Sequence, residues 1–452
     1  MKTRASLALL LQLGCAAALG ACDDEPSVAG VDGGADAMGG DCPSVGTGSL
    51  AVTVTGLPPG VMAAGTATGA GAAARALTVA GTVPVPAGRY AIGVSRVVAA
   101  DPLVRSVFDG VATPASVCVP NAGTGSVVLA YTMIPTSNKV WLGNSNSEAA
   151  GTVLGFASAA LAASGAPPAT VPADTNGSGG FTFDRDGNMW VIGGTVADAP
   201  LARYRAGMFA TGGMKTPDVS IGTAAFSAGS PGAKTMAFDA TGSLWVTTGA
   251  ARKIVKITAA QLGVSATVVP TVEISDLAGL EAIAFDAAGN LWFGYDEGLG
   301  YVAAASLVAS KVGVDYTFKV QSGPPVIADY GSPTGLAFDA AGNLWGAFGT
   351  SLLKLTAADR ALVPDTKEKA VVPGVQLGGS VLGLPEGIAF DEGGGLWVAG
   401  AAGKFLRFGP AKLAASGAPA PDVVISSPST GSAGSFALYP APAGLPIYHR
   451  LP

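Results

Sequence analysis

Ile283-Ala284-Phe285-Asp286-Ala287-Ala288-Gly289-Asn290-Leu291-Trp292 reads as a strand, a tight turn and a returning strand. Large residues alternate with alanine in the first strand, so one face fills space while the other admits a close neighbour. Gly289 supplies the positive φ that so short a turn requires. The same phrase recurs from Phe181 to Trp190, Met236 to Trp245, Leu336 to Trp345 and Ile388 to Trp397. Trp141 completes the set, so all six tryptophans fall in one series, spaced by 49, 55, 47, 53 and 52 residues. A period near fifty residues marks units that bury their apolar faces only against their neighbours.

Each hairpin is followed by further strand-like runs. Third strands are read at Thr152–Phe156, Lys253–Ile257 and Lys404–Phe408, and fourth strands at Pro217–Ile221 and Pro421–Ile425, with Ala-rich turns between them. Four antiparallel strands per unit, repeated about an axis, predict a β-propeller. The Trp141 unit lacks a good first strand, whereas Ser435-Phe436-Ala437-Leu438-Tyr439 is a first strand with nothing complete behind it. Ring closure accounts for both: six blades, the first taking its innermost strand from the carboxyl terminus and so removing an exposed edge. Seven blades, with a degenerate hairpin ending at Tyr448, is the alternative.

These hairpins resemble those of the NHL and streptogramin-lyase-like propellers over residues 137–448. That resemblance implies the fold, and a choice among binding scaffolds, sensors and enzymes. Lyases of the group use a metal and a catalytic histidine, but the one histidine here is His449, near the chain end and without a repeat-derived partner. We expect it to be an exposed terminal side chain, and we assign no catalytic residue.

The amino terminus carries an address. Lys2 and Arg4 precede an apolar run from Ala5 to Leu19, too short for a permanent span, which reads as a secretory signal over 1–21. Leu19-Gly20-Ala21-Cys22 resembles a bacterial lipobox, making Cys22 the lipidated first residue of a chain anchored to a bacterial membrane, on the periplasmic or cell-surface side. Residues 22–45, acidic and glycine-rich, form a tether with too little apolar content to offset ordering entropy. With Cys15 and Cys22 set aside, Cys42 and Cys118 remain and are expected to pair in an oxidising compartment. Residues 46–131 contain no tryptophan and carry short alternating strands such as Ser49–Thr55, predicting a small antiparallel β-sandwich. It resembles the immunoglobulin-like or prealbumin-like accessory modules of exported bacterial proteins. The propeller then occupies 132–452.

A net charge of −6 with only 12% charged residues argues against nucleic acid as a partner. An envelope protein, a glycan or a small ligand remains. The repeated aspartates, Asp184, Asp239, Asp286, Asp339 and Asp391, open tight turns and are expected to accept backbone N–H groups there, not to ligate calcium. No cofactor is therefore assigned, although a divalent cation such as calcium would suit a ring of carboxylates. Function is better sought where the copies disagree. Five places before each aspartate stand Gly179, Lys234, Glu281, Thr334 and Glu386, with Ser435 in the closing strand. This position starts the innermost strand near the axial channel, on the face opposite the aspartate turns, where loops bring Asn144, Asn146, Tyr295, Asp296 and Glu297. Lys234, Glu281, Glu386, Asn144, Tyr295 and Asp296 are the candidate ligand-binding residues. The competing reading of Lys234, Glu281 and Glu386 is an inter-blade ion pair plugging the tunnel.

Overall fold

The computed structural model describes residues 42, 44–69, 73–144, 151–175, 177, 180–192, 201–225, 233–248, 251–322, 329–400, 403–426 and 433–441. The signal, the lipobox Cys22, most of the tether, Gly179, Asn146 and His449 lie outside them.

Among the described residues, six sheets share one plan. In the fourth, Ile283–Phe285 pairs with Leu291–Tyr295, which pairs with Gly298–Val302, which pairs with Tyr316–Val320, each antiparallel. The six innermost strands, Gly180–Phe183, Ala233–Phe238, Ile283–Phe285, Gly335–Phe338, Pro385–Phe390 and Ala433–Tyr439, touch one another in a closed ring. The chain is a β-propeller. Its last strand, Ala433–Tyr439, joins the sheet of Lys139–Asn144, Thr152–Ala157 and Val171–Asp174, so the carboxyl terminus completes the first blade.

Packing between blades is aromatic. All six tryptophans are at most 2% exposed, and most meet a phenylalanine of the following inner strand: Trp141 with Phe183, Trp190 with Phe238, Trp245 with Phe285, Trp345 with Phe390. The tilted and edge-on arrangements are those that aromatic quadrupoles favour. On the outside, each fourth strand is covered by a short segment of the next blade. Gly213–Met214, Ala266–Thr267, Lys311–Val312 and Glu368–Val371 add parallel strands. Single bridges at Gly417 and Gly165 do the same for the last two blades. Ser164, Ser265, Ser310 and Ser416 each accept a backbone N–H from the covered strand at 3.0 to 3.1 Å.

The preceding module is two sheets, of five and four strands, over a core that includes Leu50, Val52, Tyr90, Ile92, Phe108 and Leu129. It departs from the antiparallel expectation in one place: Thr47–Thr55 runs parallel to Thr124–Met133. The two strands are joined through the whole intervening module, so no hairpin forces them antiparallel. A disulfide links Cys42 to Cys118. The module contacts the aspartate-turn side of the ring. Arg105 meets Glu392 at 2.6 Å, Arg96 meets Asp186 at 3.0 Å, and Gly393 donates its N–H to the Pro102 carbonyl.

Candidate functional site

The repeated aspartates are committed to their hairpins. Asp286 Oδ1 accepts the N–H groups of Ala288 and Asn290, both at 2.9 Å, while Oδ2 accepts the Asn290 side-chain amide at 2.9 Å and the Trp292 indole N–H at 3.0 Å. The indole bond recurs from Trp190, Trp245, Trp345 and Trp397 to Asp184, Asp239, Asp339 and Asp391 at 2.9 to 3.2 Å. The aspartate thus both shapes the turn and satisfies a donor that packing has buried. In the first blade Tyr439 stands at the aspartate position, and the Trp141 indole donates to the Thr136 carbonyl at 2.9 Å instead.

A cation accompanies most of these pairs. Opposite Trp190, Trp245, Trp345 and Trp397 on the third strand stand Arg203, Lys256, Lys354 and Arg407. Arg203, Lys256 and Lys354 sit 5.3 to 5.7 Å from the indole centroid, and Arg407 reaches Asp391 at 2.5 Å. Burial pushes the Asp239 carboxyl up, but donors from Thr241, Trp245 and Ser243 and the Lys256 ammonium at 3.2 Å outweigh it, and the net shift is downward. For Asp184 burial prevails over its hydrogen bonds, and the net shift is upward. These cations escaped the sequence reading, although a signal was present: each lies 9 to 13 residues after its tryptophan.

On the opposite face the inner strands begin, and the axial channel opens there in two compartments. The mouth compartment, about 110 Å³, carries Thr235, Thr334, Glu386 and Ser435 on its wall. The inner compartment, about 170 Å³, is lined by residues such as Ala237, Ala284, Ala337 and Phe338. Phe181, Met236, Ile283, Leu336, Ile388 and Phe436, one from each inner strand, border both. No described residue of the amino-terminal module lines the mouth.

Glu386 lies on this mouth, and Glu281 on another blade is close enough to act on it electrostatically. Burial first, and then the charge of Glu281, holds the Glu386 carboxyl above its ordinary value. The threonine hydroxyls beside them bridge blades: Thr235 donates to the Glu281 carbonyl at 2.8 Å and Thr334 to the Pro385 carbonyl at 2.7 Å. Lys234 lies at an irregularity in the pairing of Ala233–Phe238 with Leu244–Thr248. Asn144 ends the second strand of the first blade. Among the described residues no group of three or more His, Cys, Asp or Glu stands together as a metal site.

Tyr295 departs from the sequence expectation. It is the last residue of Leu291–Tyr295, only 4% exposed, and its hydroxyl lies 2.5 Å from that of Thr317 and 3.2 Å from Glu297. Burial raises the phenol to about 12. The strand extends through Tyr295, which keeps the side chain inside the blade against Phe293, and the turn begins only at Asp296. Asp296 and Glu297 are exposed on that turn.

No protein-family profile and no curated protein matches the chain. Among solved structures it is similar to a streptogramin B lyase, 17% identical at a TM-score of 0.30 over 52% of this chain and 65% of the other. It is also similar to the PQQ-bound form of an aldose sugar dehydrogenase from Streptomyces coelicolor, 19% identical at 0.37 over 61% and 87%. A third likeness is to the extracellular domain of a one-component system from B. thetaiotaomicron, 17% identical at 0.35 over 56% and 30%. The match spans less than two thirds of the first and about a third of the last. At these values the likenesses assign the chain neither a family nor an activity.

Proposed function

We propose that this is an exported, lipid-anchored protein of a bacterial envelope whose propeller is a non-catalytic binding scaffold, taking its ligand at the channel mouth. The observation that carries this reading is the mouth itself: Glu386, Thr235, Thr334 and Ser435 gathered on the face away from the amino-terminal module. Export is supported by the Cys42–Cys118 disulfide, since such bonds persist in oxidising compartments. The anchor rests on Cys22 and its preceding Leu19-Gly20-Ala21. No helix of the described residues is long and apolar enough to cross a membrane.

The test compares envelopes of cells making wild type, Cys22→Ser and Glu386→Arg. Wild type fractionates with membranes and co-purifies with its ligand. Cys22→Ser moves to the soluble fraction, and Glu386→Arg stays anchored but loses the ligand. Retention of ligand by Glu386→Arg would overturn the assignment of the mouth. The proximity of Glu281 and Glu386 motivates a second reading, a metal-assisted lactonase- or lyase-like enzyme. It requires a rise in melting temperature with calcium, magnesium or manganese that is lost in both Glu281→Ala and Glu386→Ala.

A further inference from the structure

The first and last strands of the amino-terminal module run side by side in the same direction. Thr47–Thr55 lies beside Thr124–Met133, in register from Ser49 opposite Thr124 to Thr55 opposite Ala130. The chain before the first of them leads back to Cys22, and the chain after the second enters the propeller at Ile134. Tension between those two points pulls the strands lengthwise in opposite directions, so the ladder bonds, which cross from strand to strand, must yield together. Antiparallel neighbours drawn apart from a common end give way one bond at a time. That is the geometry at ring closure, where Lys139, at the start of its strand, faces Tyr439, at the end of its own.

The Cys42–Cys118 bond changes where such a load enters. The Cys118 carbonyl lies beside Gly125, near the start of Thr124–Met133. Tension arriving at Cys42 crosses to Cys118 and runs on through residues 119–133, bypassing Thr47–Thr55 and everything else between the cysteines. A strand is already drawn out at about 3.3 Å per residue against a limit of about 3.6 Å, so Thr124–Met133 has little length to give. Its inward side chains Val127, Leu129 and Tyr131 are buried in the module's core, and the Tyr131 hydroxyl accepts the Ala64 N–H at 2.8 Å. We infer that the module is a tension-bearing stalk. The disulfide carries force from the tether straight into Thr124–Met133, and the parallel strand pair holds when that bond is reduced. The source of the pull rests on the anchored reading above: a partner held at the mouth while Cys22 stays in the membrane.

The test is single-molecule force spectroscopy on the whole chain from Cys22, made without its signal and held by the Cys22 thiol and by a tag after Pro452. Cys42→Ser/Cys118→Ser should open its propeller first, from the ring closure. Its module should yield last, in one step of about 300 Å for residues 47–133 and at a higher force than any propeller step. With the disulfide intact that last step should be lost. A module step in the double variant that precedes the propeller, or needs no more force, would overturn the parallel-strand lock. A step of up to about 55 Å, the contour of residues 118–133, before the propeller of the disulfide-intact chain opens would show that strand drawn out and overturn the disulfide path. Should the double variant fail to fold, dithiothreitol added to the folded wild type under tension cuts the bond in place and gives the same comparison. Wild type found in the soluble fraction of cells would remove the anchor and its load without touching either result.

Discussion

Asp286→Ala separates the structural use of the repeated aspartates from a ligating one. The substitution removes the acceptor of the Trp292 indole N–H, on a side chain only 2% exposed, and an orphaned buried donor costs about 1–3 kcal/mol. It also removes two backbone bonds that shape the turn, at about 1 kcal/mol each. The sum is about 3–5 kcal/mol, or a fall in melting temperature of roughly 6–10 °C at about 2 °C per kcal/mol for a large domain. Asp286→Asn keeps one oxygen for the turn but can present an amide N–H to the indole, so it should cost about 2 kcal/mol. The assay is thermal unfolding followed by tryptophan fluorescence, with and without chelator. A variant melting within about 1 °C of wild type, or a loss seen only when calcium is present, would refute the hydrogen-bonding account.

Deleting residues 433–452 removes the inner strand of the first blade and exposes the edge of Lys139–Asn144, so the ring should lose cooperative unfolding and aggregate in size-exclusion chromatography. A monomeric truncation with an unchanged melting curve would show that closure contributes nothing. Cys118→Ser should destabilise the amino-terminal module by about 4 kcal/mol in the chain-entropy model, given a separation of 76 residues, measured by denaturant unfolding. Glu386→Gln should be more stable than wild type at neutral pH. Burial and the charge of Glu281 raise its folded-state pKa, so ionisation opposes folding above that pKa, and the penalty vanishes below the unfolded value, where both states are protonated. Melting curves of wild type and variant that stay parallel from acid to neutral pH would contradict this.

The blade plan was legible because a propeller writes its period into the chain. Local turn chemistry at Asp286 and Gly289, strand alternation and one indole per unit all point to the same hairpin. The unmatched strand at Ser435–Tyr439 implied the closure that its pairing with Lys139–Asn144 displays. Glu386, counted from a repeated aspartate, lies on the channel mouth.

The misplaced Tyr295 marks the limit of such counting. Strand parity beyond the conserved hairpin depends on where the turn begins, and the partner across the blade, Thr317, lies on a different strand. The amino-terminal module's seat on the turns of Glu392 and Asp186 was equally silent, because contacts between units leave no period to count. From sequence alone came the repeated unit, its turn and its indole, since each is a local preference repeated along the chain. Only the tertiary structure brought Glu281, on another blade, within electrostatic reach of Glu386 at the mouth and set an apolar collar beneath it. Those neighbours are made by curling the ring, and distance across an axis is not encoded in any single repeat.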